Sequence, residues 1–446
     1  MNDDYRAIPP HTAVFANRVK LIGTEAAFGF GSRILAVEKT DGERVIRCNL
    51  GQPDFPLPEH IADAVIASIR AGQTTYCDPQ GLPELREALA RKIAADRGLP
   101  DIDPERVVVY PGARPSIGFA QQSYCERGDE IIYPTPGYPL YESYIPYVGA
   151  QPVPIKLCED DGFSLTTEEL APLISDHTRL IYLNFPSNPT GGVASLDQLR
   201  SLSELILQKT PANVRVYSDE AYESIVFDGE KHVSIASVPG MEARTIIASA
   251  VSKTYSWTGG RVGWAVYPTV EEAKVHRNLN INYVASIPPY NQVGARVALE
   301  SPESEVAIKT MNDAFQRRRD QVVAGLNAIE GVHCQPPKGA FYVFPNIEGV
   351  VESLGVVEAY NALPAELRCE TSPATLFQLF LLHRYHVATM DRRSFGTLES
   401  EGQHFLRLSV ATGAKDLANA VERIAEASED TDGFHQFIKS GVKLAL

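Results

Sequence analysis

The sequence predicts an α/β fold in which a mostly parallel sheet is covered by helices and is joined to a smaller α+β domain. Between residues 46 and 300, short runs of strand-forming residues alternate with helix-like stretches. These runs are nearly continuous in apolar residues, a pattern typical of strands that are buried on both faces of a parallel sheet. With 446 residues, the chain is also long enough to form two packed domains.

The strands of the large domain, which we predict to span residues 46–300, are indicated by six runs. In chain order, these runs are Val107–Tyr110, Glu130–Tyr133, Arg179–Asn184, Val214–Ser218, Thr245–Ser249 and Val262–Tyr267. The stretches between them are long enough for crossover helices, as parallel strands require.

The small domain is predicted to combine residues 1–45 with residues 301–446. The charged stretch Ser304–Glu330 is expected to be helical and to carry the chain out of the large domain. Strand-like runs then follow at Ala340–Phe344 and Phe405–Val410, with further helices around them. This mixture indicates an α+β arrangement.

The charge balance disfavours a nucleic-acid or anionic-membrane partner, since 41 Lys and Arg residues oppose 56 Asp and Glu residues and the net charge is −15. No stretch is long and apolar enough to cross a bilayer. The six cysteines lie far apart without the spacing of metal ligands, so no metal site is predicted. The N-terminal segment MNDDYRAIPP does not resemble a secretory signal, and we expect a cytoplasmic protein that binds small molecules.

A lysine after the fifth predicted strand is the first candidate for catalysis. Lys253 lies in the segment SKTYSWTGGRVGW, in which Arg261 follows it by eight residues. A lysine beside an apolar interior loses its proton readily, and its amine can then attack an aldehyde. A nearby guanidinium is suited to pairing with phosphate. A solvated surface lysine is the usual alternative, and the neighbouring segments argue against it.

Two further polar segments follow predicted strands. NFPSNPTG, at residues 184–191, comes directly after the third strand, and SDEAY, at residues 218–222, comes at the end of the fourth. Ligands bind outside the carboxyl ends of the strands in open α/β sheets. The three segments at three consecutive strand ends are therefore expected to converge on one crevice.

These segments resemble the diagnostic segments of class I and II aminotransferases, which belong to fold type I of the pyridoxal-phosphate (PLP) enzymes and include the aspartate aminotransferases. They occur in the family's order, and the resemblance covers nearly the whole chain. It implies that PLP is the cofactor and that Lys253 binds it as a Schiff base and moves the proton during catalysis. It also implies that Asp219 keeps the pyridine nitrogen protonated, and that Asn188 and Tyr222 hydrogen-bond the phenolic oxygen.

The cofactor phosphate is expected at a glycine turn after the first predicted strand. The segment YPGARPS places this turn before a helix, whose N-terminal amides and dipole suit an anion. By resemblance, three residues contribute backbone amides and two contribute side chains: Gly112, Ala113, Arg114, Ser252 and Arg261. The family often has a serine three residues before the lysine, and here that residue is Ala250.

The resemblance assigns four more positions. Tyr138 stands where related enzymes stack an aromatic ring on the cofactor. Tyr76 begins a segment that matches YxxxxGxxxLR, whose tyrosine reaches the phosphate of the neighbouring subunit, and this implies a homodimer with shared sites. Arg407 lies in a family-like RxS segment, and its planar guanidinium would grip the substrate α-carboxylate through two parallel bonds. Gly51 would contribute backbone at the substrate, together with Asn188.

The implied reaction moves an amino group between an L-amino acid and a 2-oxo acid by a ping-pong mechanism. Arg114 stands where some aspartate aminotransferases have a lysine for the distal carboxylate, so aspartate- or glutamate-type substrates are plausible; aromatic substrates stay open, and Arg114 could instead brace its helix. Met390–Gly396 replaces the family's PGxxFG pattern, and Ile347–Ser372 resembles an insertion. Arg392 and Arg393 are expected to form a solvated basic pair rather than to meet an acidic substrate.

Two alternatives to an aminotransferase stay open on the sequence alone. The same fold supports lyases, decarboxylases, cyclases and oxidases that act on amino acids, and the cofactor segments do not choose among them. An aminotransferase-like domain can also act as a ligand-sensing regulator, but residues 1–45 show no basic recognition helix. A dehydrogenase is disfavoured, because Gly29 and Gly31 form a lone GxG outside a strand-turn-helix context.

Overall fold

Twelve strands in three sheets are found in residues 14–23 and 26–445, the part of the chain that this computed structural model describes. In chain order they are β1 (Ile46–Arg47), β2 (Val107–Tyr110), β3 (Glu130–Thr135), β4 (Gln151–Lys156), β5 (Thr178–Asn184), β6 (Arg215–Asp219), β7 (Thr245–Ala250), β8 (Gly263–Val266), β9 (Tyr342–Val343), β10 (Val387–Ala388), β11 (Met390–Asp391) and β12 (Leu406–Ser409). The first part of the predicted small domain, residues 1–13, lies outside the described residues.

Helices connect most of the strands. In chain order they are α1 (Ala26–Asp41), α2 (Glu59–Arg70), α3 (Pro83–Arg97), α4 (Arg114–Tyr124), α5 (Leu140–Val148), α6 (Thr167–Leu170), α7 (Leu196–Lys209), α8 (Val251–Thr254), α9 (Val270–Tyr283), α10 (Pro289–Glu300), α11 (Pro302–Leu326), α12 (Glu348–Ser353), α13 (Val356–Asn361), α14 (Ala365–Arg368), α15 (Pro373–Tyr385), α16 (Ala414–Glu429) and α17 (Thr431–Ile438). No helix in the described ranges combines the length and the apolar character needed to span a membrane.

The main sheet has seven strands in the order β2-β8-β7-β6-β5-β3-β4. All six predicted runs lie in it, and β2, β7 and β8 are buried along their whole length. Strand β8 runs antiparallel to both of its neighbours, while the pairs from β7 to β4 are parallel. The predicted α/β fold with a mostly parallel sheet is therefore confirmed, and the carboxyl ends of β2, β3, β5, β6 and β7 meet at one edge.

Residues after the main sheet form a second layer around a smaller sheet. Helix α11 covers most of the stretch predicted to be helical, and β9, β12 and β11 form a three-stranded antiparallel sheet. Strand β1 pairs with β10 in parallel, which joins the early part of the chain to the late part. Residues 347–372 contain the short helices α12, α13 and α14. The exact division into residues 46–300 and the remainder stays a prediction.

Candidate active site

Lys253 lies just beyond the carboxyl end of β7, on the short helix α8. Its side-chain nitrogen donates a hydrogen bond to the carbonyl oxygen of Gly51. The same nitrogen lies 5.8 Å from the ring centroid of Tyr222 and 5.9 Å from that of Phe341. The amine thus lies among aromatic rings and not on the open surface.

Gly51 and Tyr222 are brought together by a residue that the sequence did not single out for the site, Tyr342. The Tyr222 and Tyr342 hydroxyls lie 2.7 Å apart, and Tyr222 is only 5% exposed. Burial raises the pKa of Tyr222 well above its usual range, so its hydroxyl keeps its proton at neutral pH. A Cβ atom at Gly51 would lie 2.1 Å from the Tyr342 hydroxyl oxygen, so only glycine allows this close backbone approach.

Asp219 ends strand β6 and is buried, with 6% of its surface exposed. The Tyr141 hydroxyl donates to one carboxylate oxygen at 2.7 Å, and the backbone N–H of Ala221 donates to the other at 3.2 Å. Burial raises the pKa of Asp219, while these two donors and the charge of Lys253 lower it. Both of these hydrogen-bond donors are uncharged, so the carboxylate is suited to a cationic group that a ligand supplies.

Arg407, on strand β12, reaches the same crevice from the smaller sheet. Its guanidinium donates to the Asn188 side-chain oxygen at 2.9 Å and to the Asn49 carbonyl oxygen at 2.5 Å. It lies 4.4 Å from the ring centroid of Tyr342 and 4.6 Å from that of Phe395. These contacts hold the planar group in one orientation, which a bidentate carboxylate site requires.

The position of Asn188 is set by the strand that precedes it. Its backbone N–H donates to the side-chain oxygen of Asn184 at 2.9 Å, and the Asn184 amide donates to the Asp219 carbonyl oxygen at 3.1 Å. The polar segment after β5 is thereby tied to the end of β6. Two of the three segments that the sequence places at strand ends are joined directly.

A cationic turn lies where β2 leads into α4. Gly112 has a φ of +84°, and a Cβ atom there would lie 2.4 Å from an Arg261 side-chain nitrogen. The first residue of α4 is Arg114, and Ala113 precedes it without a side-chain cap on the helix. Burial and the charge of Arg114 both lower the pKa of Arg261. Two like charges beside a helix N-terminus make a site that an anion would stabilise.

Tyr138 lies at this cationic turn. The Arg114 guanidinium is 5.9 Å from the Tyr138 ring centroid, and the Tyr138 and Tyr141 rings meet edge to face with centroids 5.7 Å apart. Ser252 is buried beside Lys253 on α8. The side chain of Tyr76 is 89% exposed and is therefore not brought into the crevice of its own chain.

The sequence did not predict two contacts of the site. One is the hydrogen bond from the Tyr141 hydroxyl to Asp219, and the other is the packing of the Arg407 guanidinium against the rings of Tyr342 and Phe395. The available signal for Tyr141 is weak: it follows Tyr138 by three residues at the start of a helix. The contacts of Arg407 with Tyr342 and Phe395 join residues that are separated in the chain, and no local pattern predicts such pairing.

The expectation of a solvated basic pair at Arg392 and Arg393 is wrong. Arg392 is only 1% exposed. Arg393 is half-buried and donates to the carbonyl oxygens of Thr371 and Cys369. A guanidinium can be buried in this way when oxygen acceptors use its N–H groups, which the charge of the residues alone does not reveal.

Comparison with known proteins agrees with this geometry. Residues 43–424 match the family model described as aminotransferase class I and II. The chain is 36% identical to an aspartate aminotransferase of Rhizobium meliloti, over 93% of this chain and 96% of the relative. It is 33% identical to a probable aspartate/prephenate aminotransferase of Aquifex aeolicus, over 88% and 93%.

Solved structures give the same result. The crystal structure of an aspartate aminotransferase from Rhizobium meliloti superposes with a TM-score of 0.82 at 34% identity, covering 94% of this chain and 99% of that one. An aspartate aminotransferase from Thermus thermophilus with maleate superposes with a TM-score of 0.81 at 27% identity, covering 93% and 100%. These matches confirm fold type I of the PLP enzymes. The chain therefore belongs to the class I and II aminotransferase family.

Proposed function

We propose that this aminotransferase moves the amino group of an aspartate- or glutamate-type L-amino acid to a 2-oxo acid in a ping-pong cycle. The observation that carries the substrate class is a third guanidinium at the crevice, that of Arg114, beside Tyr138 and close enough to Arg261 to lower its pKa. With Arg261 assigned to phosphate and Arg407 to the α-carboxylate, Arg114 offers a cation for a distal carboxylate. The Rhizobium meliloti relative is named an aspartate aminotransferase.

Members of this family depend on PLP, and the residues of the crevice fit that cofactor. The Arg261 side chain that lies against Gly112 and the backbone amides at the N-terminus of α4 suit its phosphate. Buried Asp219 suits a protonated ring nitrogen, which would replace the hydration that the carboxylate lacks. When bound, PLP supplies an electron sink for the negative charge that develops at the substrate α-carbon.

Each crevice residue has a proposed contact with the cofactor. Lys253 would bind it covalently, Asp219 would hold the ring nitrogen, and Tyr138 would stack on the ring. The phenolic oxygen would be bound by two residues, and the phosphate by five: Asn188 and Tyr222, then Gly112, Ala113, Arg114, Ser252 and Arg261. Tyr76 of the partner subunit would complete the phosphate site.

The chain's own residues then orient the substrate and move the proton. Arg407 would bind the α-carboxylate, and its Nε–H is a buried donor without an acceptor among the described residues. The Asn188 amide and the Gly51 backbone would lie against the same substrate group. The Lys253 nitrogen, once released, would take the proton from the α-carbon, because it already lies in the crevice close to Gly51.

We also propose that the enzyme is a homodimer and works in the cytoplasm. The exposed side chain of Tyr76 supports the dimer, since a large aromatic residue with 89% exposure is suited to a contact with another subunit. Six free cysteines support a reducing compartment.

A panel of amino donors tests the reaction and the substrate class. Purified protein with bound cofactor is mixed with single L-amino acids, and the cofactor absorbance and the 2-oxo acid product are followed together. We expect aspartate or glutamate to convert the cofactor stoichiometrically to its amino form in one half-reaction. A lyase or decarboxylase would return the cofactor to its starting form, and preference for aromatic donors would contradict the proposed substrate class.

Lys253→Ala tests the catalytic assignment. Loss of the covalent bond and of the proton acceptor should remove the visible absorbance of the linked cofactor and lower turnover by more than about 100-fold. Lys338→Ala is the matched control, because Lys338 is exposed and pairs with Glu230 on the surface. A borohydride-reducible adduct that persists in Lys253→Ala would refute the assignment.

A further inference from the structure

We propose that Arg392 is a positioning residue that fastens the turn carrying Phe395 to the segment carrying Tyr138, and thereby sets the substrate site at Arg407. Met390–Gly396 departs from the family's PGxxFG pattern at this turn. The inference rests on the proposed role of Arg407 as the carboxylate ligand, and it assigns to Arg392 a part that the family pattern does not require.

The Arg392 guanidinium is enclosed and held from several directions. It is the largest fully buried side chain in the described residues, with 1% exposure. It donates four hydrogen bonds, all to uncharged oxygens: Gln403 Oε1 at 2.7 Å, the Gly396 carbonyl at 3.0 Å, Thr135 Oγ1 at 2.9 Å and the Glu399 carbonyl at 3.2 Å.

These four acceptors belong to two parts of the fold. Three of them lie in residues 396–403, the loop that leads into β12, and the fourth is the Thr135 hydroxyl at the end of β3. Arg392 therefore links the smaller sheet to the main sheet. Because the guanidinium N–H groups point in fixed directions, their hydrogen bonds fix the relative position of the two sheets more strictly than an apolar contact of the same size would.

Two further contacts join the same turn to the segment around Tyr138. The backbone N–H of Gly137 donates to the Phe395 carbonyl oxygen at 2.9 Å. The backbone N–H of Thr397 donates to a Glu142 carboxylate oxygen at 2.9 Å, and its hydroxyl donates to the same oxygen at 2.5 Å. Residues 135–142 are thus held at three points by residues 392–397.

Phe395 carries the effect to the substrate site. Its ring is 3% exposed and lies 4.6 Å from the Arg407 guanidinium, so a shift of the turn moves a surface on which that guanidinium rests. Tyr138 lies in the segment 135–142 that these contacts hold, and its ring lies against Arg114, the proposed ligand of the distal carboxylate. Arg392 touches neither substrate ligand and acts on both through their neighbours.

The burial of a cation costs free energy, which its hydrogen bonds offset only in part. Burial lowers the pKa of Arg392 to about 10, while the charges of Glu142 and Asp391 oppose that effect, so the group remains protonated at neutral pH. A buried charge of this kind often adds little net stability compared with an apolar side chain. Geometric control of the turn is therefore the function that these contacts support.

The test compares Arg392→Met with Arg393→Met in the enzyme with bound PLP. Arg393 is the matched control, because it lies in the same turn but, among the described residues, donates only to carbonyl oxygens of residues 369 and 371. The readouts are the affinity for maleate, a non-reactive dicarboxylate, the KM and kcat of the amino donor, and the affinity for PLP. We expect Arg392→Met to weaken maleate binding and raise KM by about tenfold. The affinity for PLP should fall by less than the affinity for maleate, because Tyr138 is only one of the proposed contacts of the cofactor, and Arg393→Met should resemble the unaltered enzyme.

Thr135→Val tests the link from the other side and keeps Arg392 in place. Both substitutions break the bond between Arg392 and Thr135, and Thr135→Val also removes the bond from the Thr135 hydroxyl to the Leu398 carbonyl oxygen at 3.2 Å. Because they share one bond, their effects on maleate affinity should be less than additive in the double variant. The effects of Thr135→Val and Arg393→Met should add. If Arg392→Met does not fold, Thr135→Val alone tests the proposed role of Arg392. Weaker maleate binding in Thr135→Val would support that role, and unchanged binding would overturn it.

Arg407→Lys separates a failure of this inference from a failure of the proposed function. Weaker maleate binding in Arg407→Lys, with unchanged binding in Arg392→Met, would overturn the role of Arg392 alone. Unchanged maleate binding in Arg407→Lys would overturn the carboxylate assignment on which the inference rests. A loss of thermal stability in Arg392→Met without a change in maleate affinity would show a purely structural residue and also overturn it.

Discussion

At the scale of single residues, the ionisation of Asp219 is balanced by opposing influences. Burial raises its pKa, and the hydrogen bond from the Tyr141 hydroxyl is the largest influence that lowers it. The proposed bond to the cofactor ring nitrogen requires the ionised carboxylate, so PLP binding should fail as the pH falls and Asp219 takes up a proton. Tyr141 therefore sets how acidic the solution can become before binding is lost.

Tyr141→Phe should move this loss of PLP binding to a higher pH. The substitution removes one donor that lowers the pKa, while the burial that raises it stays, so the carboxylate gains its proton earlier on acidification. The measurement is the dissociation constant of PLP from the apoenzyme across the acid range. Tyr133→Phe is the control, because that hydroxyl donates to Glu142 at 2.9 Å and not to Asp219. An identical acid limb in both variants would contradict the assignment.

At the scale of secondary-structure elements, burial decides how much the sequence reveals. The buried strands β2, β5, β6 and β7 are predicted within one or two residues, because continuous apolar runs mark them. Strand β4 is not predicted, since Pro152 and Pro154 break the pattern. The structure places it at the edge of the sheet, beside β3 only, where missing N–H donors are tolerated.

Only some of the site residues could be predicted from the sequence, because only some of them lie next to buried strands. Asp219 ends a buried strand, and Lys253 and Asn188 come shortly after two others, so local patterns place them at one sheet edge. Arg392 is different, because its acceptors lie in a loop and in the distant strand β3, and a basic pair in the sequence reads as solvated. Contacts between elements far apart in the chain carry no local signal.

Glu220, the residue that follows β6, is a second buried carboxylate, and its contacts hold the end of this strand in place. Its carboxylate is 0% exposed and accepts from Arg97 on α3 at 2.6 Å and 2.8 Å, from His232 at 3.0 Å and from the hydroxyls of Ser218 and Ser234. The cation of Arg97 and these donors hold the pKa of Glu220 far below its usual range, against the effect of burial.

Glu220→Gln should destabilise the fold by about 3–5 kcal/mol at neutral pH, because it leaves the buried charge of Arg97 with less compensation. A carboxyl whose pKa is lowered on folding contributes stability above its unfolded pKa of about 4.3 and loses it as the pH falls. The difference in unfolding free energy between Glu220→Gln and the unaltered enzyme should therefore shrink below about pH 4. Urea unfolding at several pH values checks this. Glu300→Gln is the control and should cost less than about 1 kcal/mol, because Glu300 and its partner Arg91 are 46% and 65% exposed.

At the scale of the whole molecule, one predicted site residue, Tyr76, lies outside the crevice that its own chain forms. Lys253, Asp219 and Arg407 meet in the crevice between the main sheet and the smaller sheet. Tyr76 is 89% exposed. If Tyr76 of the partner subunit supplies the missing phosphate contact, each site in the dimer needs residues from two chains.

Mixed dimers of Tyr76→Ala and Lys253→Ala test this arrangement. Each variant alone should be impaired at both of its sites. A hybrid dimer joins one intact Lys253 to Tyr76 of the partner subunit, so co-expression in equal amounts should restore about a quarter of the unaltered activity, because half of the dimers are hybrids and each has one complete site. The measurement is turnover per subunit after purification of the mixture. Tyr283→Phe in place of Tyr76→Ala gives the control, since Tyr283 is also exposed, at 65%, but donates within its own chain to Gln122. Activity no higher than the mean of the two separate variants would show that each chain builds its site alone.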